Sequence, residues 1–189
     1  MPSLTSAAVP PGTLSWSAQP SIPADGLLLR PWRAADRPAV LAGYADPDIQ
    51  QWHCRSMTDE EAADWLATWP ARWREESGAG WAVVHDGVVA GQISLRRLSL
   101  HEGLAEVSYW VLPSKRGLGL APRALSALAG WCFATVGLHR IELNHSTRNV
   151  ASCRVADRSG FPLEGTKRSE ARHADGWHDM HLHARVAPD

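Results

Sequence analysis

The stretch from Leu104 to about Thr135 constrains the fold of this chain more than any other. A mostly apolar run, Leu104 to Leu112, reads as a central strand and gives way to Pro113-Ser114-Lys115 and then to Arg116-Gly117-Leu118-Gly119-Leu120-Ala121. A helix should start near Pro122, because proline is at home in a first turn where its missing N–H is not needed. Two glycines between strand and helix let successive backbone N–H groups face the same way, at the positive end of the helix dipole. The loop is therefore an anion cradle, with Lys115, Arg116 and Arg123 adding charge beside it. It is not a Walker loop, since no Gly-Lys-Ser/Thr follows, and it lacks the third glycine of GxGxxG. A tight turn with no ligand is the competing reading.

Around this unit the chain alternates strand and helix signals. Leu27 to Trp32 reads as a first strand, and Asp36 can cap a short helix carrying Val40, Leu41 and Tyr44. Thr58 and Glu61 form a capping-box pattern ahead of a helix with Trp65, Trp69 and Trp73 on one face, a stripe read as core packing. Asp86-Gly87 and Asp175-Gly176 each mark a hairpin. Arg140 to Leu143 is a strand, and Asn149 to Arg158 a short helix leading to Gly160-Phe161. The order is mixed α/β.

Composition bounds what such a unit can do. With 189 residues and 44% hydrophobic content, one domain can bury a core between a sheet and its helices. A net charge of -1 leaves no global basic field for nucleic acid, so none is expected as a partner. No run approaches a membrane span, and the scattered Cys54, Cys132 and Cys153 suit a reducing, cytoplasmic compartment. Residues 1–24 carry no charged side chain, are rich in Pro, Ser and Ala, and are expected to form a flexible arm. Residues 25–189 form the single domain.

The loop resembles the R/Q-x-x-G-x-G/A signature of the GNAT acetyltransferase superfamily, with Arg116, Gly119 and Ala121 on its fixed positions. Ala105 to Leu112 resembles the family's splayed central strand. Asn149-Val150-Ala151-Ser152 followed by Gly160-Phe161 resembles the N-x-x-S…GF block of the branch that acetylates ribosomal-protein N-termini. The resemblance runs from about Leu27 to Val186. It implies a mostly antiparallel twisted sheet with a splayed central strand and helices on both faces. It also implies an acyl-CoA N-acyltransferase domain that moves acetyl from acetyl-CoA, a co-substrate, to a primary amine.

On that resemblance, backbone N–H groups of Arg116, Gly117, Leu118, Gly119, Leu120 and Ala121 hold the pyrophosphate. Val111 and Leu112, with Trp110 beside them, meet the pantetheine arm like an added strand. Asn149 and Ser152 sit near the thioester, and Arg158 reaches toward an adenine-end phosphate. The acceptor is a protein N-terminal α-amine or a small-molecule amine, and the protein a monomer or homodimer. A catalytically silent acyl-CoA sensor is the alternative.

The chemistry needs a base for the ammonium, an oxyanion site and help for the departing thiolate. Alternation puts Glu106, Ser108 and Trp110 on one strand face and Val107, Tyr109 and Val111 on the other. Glu106 is the lone carboxylate of its strand, and the resemblance makes it the base, with Glu170 as the alternative. The family's acid is a tyrosine seven residues after the asparagine, but Ala156 stands there. Ser152, one turn earlier on the same face, then takes the thiolate. His181 and His183 share a strand face while His178 falls on the other, so no metal is expected.

Overall fold

The computed structural model describes residues 4–188. Eight strands form one sheet: β1 (Ile22–Ala24), β2 (Leu27–Pro31), β3 (Ala79–His85), β4 (Val88–Ser99), β5 (Leu104–Val111), β6 (Arg140–Ser146), β7 (Leu163–His173) and β8 (Gly176–Val186). Their spatial order is β1-β2-β3-β4-β5-β6-β8-β7. Every neighbouring pair is antiparallel except β5 and β6. That parallel pair is brief: Leu104, Ala105 and Glu106 face Arg140, Ile141 and Glu142, and beyond Glu106 the two strands part. The expected splayed central strand is present, and so are both hairpins, the first turning at Asp86-Gly87 and the second one residue earlier than expected, at Ala174-Asp175, with Gly176 already paired to His173.

Helices α1 (Arg37–Ala45), α2 (Pro47–His53), α3 (Asp59–Arg74), α4 (Leu120–Trp131) and α5 (Val150–Arg158) cover the sheet. Alternation along β5 splits the apolar side chains between two cores. Ala105 and Val107 join Leu125, Leu128 and Ala129 of α4 and Phe161. Trp110 joins Val40 and Tyr44 of α1, Ile49 of α2, and Ala62 and Leu66 of α3. Gly43 permits this closeness, since a Cβ there would stand 2.8 Å from the Trp110 ring. The Thr58–Glu61 capping box opens α3, and Trp69 and Trp73 are buried as the stripe predicts.

Asp36 precedes α1 but does not cap it with its side chain. Its carboxylate takes both Arg30 guanidinium nitrogens at 2.7 Å and the Arg33 N–H at 2.8 Å instead. A charged partner outcompetes a helix-end amide.

Over its described part the N-terminal arm, expected to be flexible, packs on the domain. Ala8 and Val9 donate to the carbonyls of His101 and Leu100, Val9 and Leu14 are buried, and Ile22–Ala24 pairs with β2. Gly12, Leu14 and Ser15 N–H groups converge on the Glu76 carboxylate. Trp73 and Trp81 donate their indole N–H groups to Ser17 and Pro20 carbonyls. An uncharged, Pro-rich segment has few side-chain partners to advertise, so its order comes from backbone bonds to residues far along the chain. No helix among the described residues is long and apolar enough to cross a membrane.

Candidate active site

The site grows from the parting of β5 and β6. Leu112 N–H bonds Ala90 O across the β4 edge. In an antiparallel pair, backbone groups alternate sides, so those of Tyr109 and Val111 point into the gap. The His53 ring meets the Tyr109 carbonyl there at 3.1 Å, and Arg116 Nε meets the Val111 carbonyl at 3.3 Å. The Leu112 N–H is thus engaged with β4, while the Val111 N–H faces the gap. Trp110 lines the gap, but its indole lies in the core under α1 and α3.

A cleft of about 600 Å³ opens along this gap. Val111, Arg116, Gly117, Gly119, Leu120, Ala121, Asn149, Ser152 and Arg158 all line it. Leu118 does not, and its side chain is half-exposed elsewhere. Gly117 and Gly119 both have positive φ, +78° and +67°. Arg123 gathers the carbonyls of Leu118 (3.1 Å) and Gly119 (3.3 Å), and also bonds the carbonyl of Asp25, the first residue after the arm, at 2.6 Å. Because a trans peptide points its N–H opposite its C=O, the Gly119 and Leu120 N–H groups face away from Arg123. Arg123 therefore shapes the cradle rather than lending it charge. Arg116 is paired with Asp46 and, at 2.7 Å, with Asp48, which ties the loop to α2. Lys115, Arg154 and Arg158 remain as cations at the rim.

At the deep end Asn149 caps α5, its Oδ1 accepting the Ser152 N–H at 3.0 Å. Ser152 Oγ lies 2.7 Å from the Tyr109 hydroxyl. Position 156, where the resemblance puts a tyrosine, holds a fully buried alanine. The phenol arrives from β5 instead. Burial raises the Tyr109 pKa well above the tyrosine range, against the hydrogen bond to Ser152, so the phenol keeps its proton at neutral pH. Only the identity of Tyr109, facing the α5 side by strand parity, could have signalled it.

A second cleft, of about 310 Å³, meets the first at Tyr109, Ser152 and Asn149. Both Glu106 and Glu170 line it. Glu106 is 8% exposed, sits at the last paired position before the splay, and has Arg97 at 3.4 Å. Glu170 is exposed and paired with Lys167 at 2.9 Å. His53 walls both clefts, and burial lowers its pKa to about 4, leaving a neutral ring facing the Tyr109 carbonyl.

His178 lies apart from His181 and His183, as parity requires. It bonds Ser146 Oγ at 2.8 Å and Asp175 at 2.7 Å and stacks on His173. His181 and His183 instead face His145 of β6 and Cys153 of α5.

Comparison with known proteins identifies the family. Residues 26–162 match the Acetyltransferase (GNAT) domain family. The uncharacterized N-acetyltransferase YoaA of Bacillus subtilis is 25% identical over 89% of this chain and 98% of its own. The putative ribosomal N-acetyltransferase YdaF of the same organism is 28% identical over 80% of this chain and 84% of its own. Mycobacterium smegmatis RimJ, solved in complex with CoA-disulfide, superposes with a TM-score of 0.79 at 26% identity, covering 89% of this chain and 86% of that one. A strand that splays at Glu106, a glycine cradle and a family match over most of the chain together place this protein in the GNAT family, as an acetyl-CoA-dependent N-acetyltransferase.

Proposed function

We propose that the protein acetylates the α-amine of a protein N-terminus, with the Tyr109–Ser152 pair at the thioester and Glu106 as the base. The observation that carries this reading is the hydroxyl pair at the junction of two clefts. Acetyl-CoA fits the first: its pyrophosphate on the N–H groups of Gly117 to Ala121, its pantetheine along Tyr109 and Val111, and Arg158 toward the adenine end. The amine enters by the second. Its wall carries charges of both signs, Arg96, Arg97, Glu106, Glu170 and Arg172, and runs beside the unpaired edge of β6. Such a wall suits a polar extended peptide better than an apolar amine. The name of YdaF points to the same class of acceptor.

The residues divide the chemistry between them. Glu106 takes the ammonium proton, directly or through water, so that the amine lone pair can attack the acetyl carbonyl. As the tetrahedral intermediate collapses, the nitrogen releases its second proton to water, the C–S bond breaks and charge moves onto sulfur. Tyr109 donates to Ser152 Oγ, which frees the serine O–H to hydrogen-bond that thiolate. Placing the donor before the charge develops is what lowers the barrier.

Peptides with free N-termini and a panel of small amines, read by thiol release and mass spectrometry, test the proposal. Acetyl on the peptide α-amine is the expected product. A small amine used with higher kcat/KM than every peptide would overturn the acceptor assignment.

A further inference from the structure

His145, Cys153, His181 and His183 offer one ligand atom each, all within 4.8 Å of one another. They come from three elements, β6, α5 and β8. His145 and His181 are direct cross-strand partners, and His183 sits two residues further on the same face, opposite Leu143. Cys153, in the first turns of α5, closes the group, with its sulfur 3.9 Å from His183 Nε2.

The hydrogen bonds leave the right atoms free. His145 is 5% exposed, its Nδ1 bonds the Ser146 carbonyl at 2.8 Å, and its Nε2 is buried with no partner. His183 is 1% exposed, its Nδ1 bonds the Phe161 carbonyl at 2.9 Å, and its Nε2 turns to the cysteine. A backbone carbonyl that holds Nδ1–H fixes the tautomer and presents the Nε2 lone pair, the usual outer support of a metal-ligating histidine. His181 Nδ1 is a further buried nitrogen without a partner. Unpartnered buried nitrogens beside a thiol are costly as they stand, and one cation satisfies all of them.

We propose that these four side chains bind a single Zn²⁺ ion in a tetrahedral Cys-His₃ site. Imidazole and thiolate are ligands that zinc accepts, and no carboxylate is needed. Bonds of about 2.0–2.3 Å set tetrahedral ligands roughly 3.3–3.7 Å apart, so closure asks for movements of about an ångström. The ion displaces the Cys153 proton to solvent and keeps the thiolate. His145 also lines the second cleft, which supplies an entry path. The ion fastens α5 to β6 and β8 directly behind Ser152.

Untagged, reduced full-length protein titrated with Co²⁺, then with competing Zn²⁺, reads the site without any acetyl transfer. One equivalent of Co²⁺ should give tetrahedral d–d bands and a thiolate-to-metal charge-transfer band, both removed by Zn²⁺. Cys153→Ser should abolish the charge-transfer band. His181→Asn, at a half-buried position that tolerates a polar group, should weaken binding by at least about tenfold. Retained acetyl-CoA affinity and an unchanged circular-dichroism spectrum show that each variant is folded. Absence of the bands in wild type, their survival in Cys153→Ser, or unchanged affinity in His181→Asn overturns the site. None of these results bears on which amine is acetylated.

Discussion

Tyr109 and Ser152 are a pair whose members are worth little alone. A serine hydroxyl is a weak acid, but with the phenol 2.7 Å away donating to it, as proposed, its own proton is free to serve the cleft. Ser152→Ala should lower kcat by roughly ten- to a hundredfold and change the acetyl-CoA KM little, because a bond to developing thiolate charge strengthens only in the transition state. Tyr109→Phe should lower kcat less, and the double variant should be no worse than Ser152→Ala, since residues that act as a unit do not add. A mere cofactor contact would raise KM and spare kcat, so steady-state kinetics separates the two. Glu106→Gln should cost on the order of a hundredfold in kcat. Glu170→Gln should cost far less, because its carboxylate is exposed and paired with Lys167; the reverse ranking would move the base to Glu170. His53 carries a pH signature of its own. An unfolded chain binds a proton at this histidine near its ordinary 6.5, whereas the folded ring stays neutral down to about 4. Its contribution is thus fully present above pH 6.5 and is lost as pH falls from there toward 4. The loss is on the order of 2 kcal/mol once solvent reaching the ring through the cleft is allowed for. His53→Gln should flatten that part of the stability profile measured by urea unfolding.

At the scale of elements, the cradle is a backbone device. Gly119 caps α4 with φ +67°, and a Cβ there would meet nothing within 4 Å. Gly119→Glu is strained at this φ but has open space for its Cβ, so it should fold at some cost in stability yet lose acetyl-CoA binding in calorimetry by placing negative charge at the proposed diphosphate site, whereas Gly119→Asn, which tolerates this φ, should keep most of it. Equal affinity in the Glu variant would remove the pyrophosphate from this loop. The elements themselves were legible wherever a local rule governs them: the Asp86-Gly87 turn, the Thr58–Glu61 box, the Asn149 cap, and the alternation of β5. What stayed hidden depends on chain segments far apart in sequence. Tyr109 finds Ser152 across forty-three positions, and His53 finds Tyr109 across fifty-six. His145 and Cys153 join His181 and His183 only because β6 lies beside β8 and α5 crosses over them. Periodicity shows which face a side chain takes, not which side chain from another strand it will meet there.

The whole molecule is closed by its N-terminal arm, and Glu76 is the knot. With φ at +54°, just past the end of α3, Glu76 accepts N–H groups from Gly12 at 2.8 Å, Leu14 at 2.7 Å and Ser15 at 3.1 Å. Burial pushes its carboxyl pKa up, but these backbone donors outweigh that and hold it below the ordinary value of 4.5. The arm then carries Val9 and Leu14 into the core that α4 shares, while Asp25 holds Arg123 and through it the glycine loop. Glu76→Gln keeps the shape but removes the charge, so at neutral pH it should cost on the order of 1 kcal/mol, lowering Tm by about 2–4 °C. Because the folded carboxyl pKa is depressed, its contribution is complete above pH 4.5 and is lost as pH falls through the lower folded value. The gap in Tm between wild type and Glu76→Gln should accordingly shrink toward zero as pH falls through the depressed folded value, whereas a loss of packing would leave it constant. Limited proteolysis at neutral pH should cut the variant first before Asp25, near the exposed Trp16, with the remainder intact. Identical cleavage patterns and a pH-independent gap would mean that Glu76 does not hold the arm, and that Trp73 and Trp81, through their bonds to Ser17 and Pro20, do so without it.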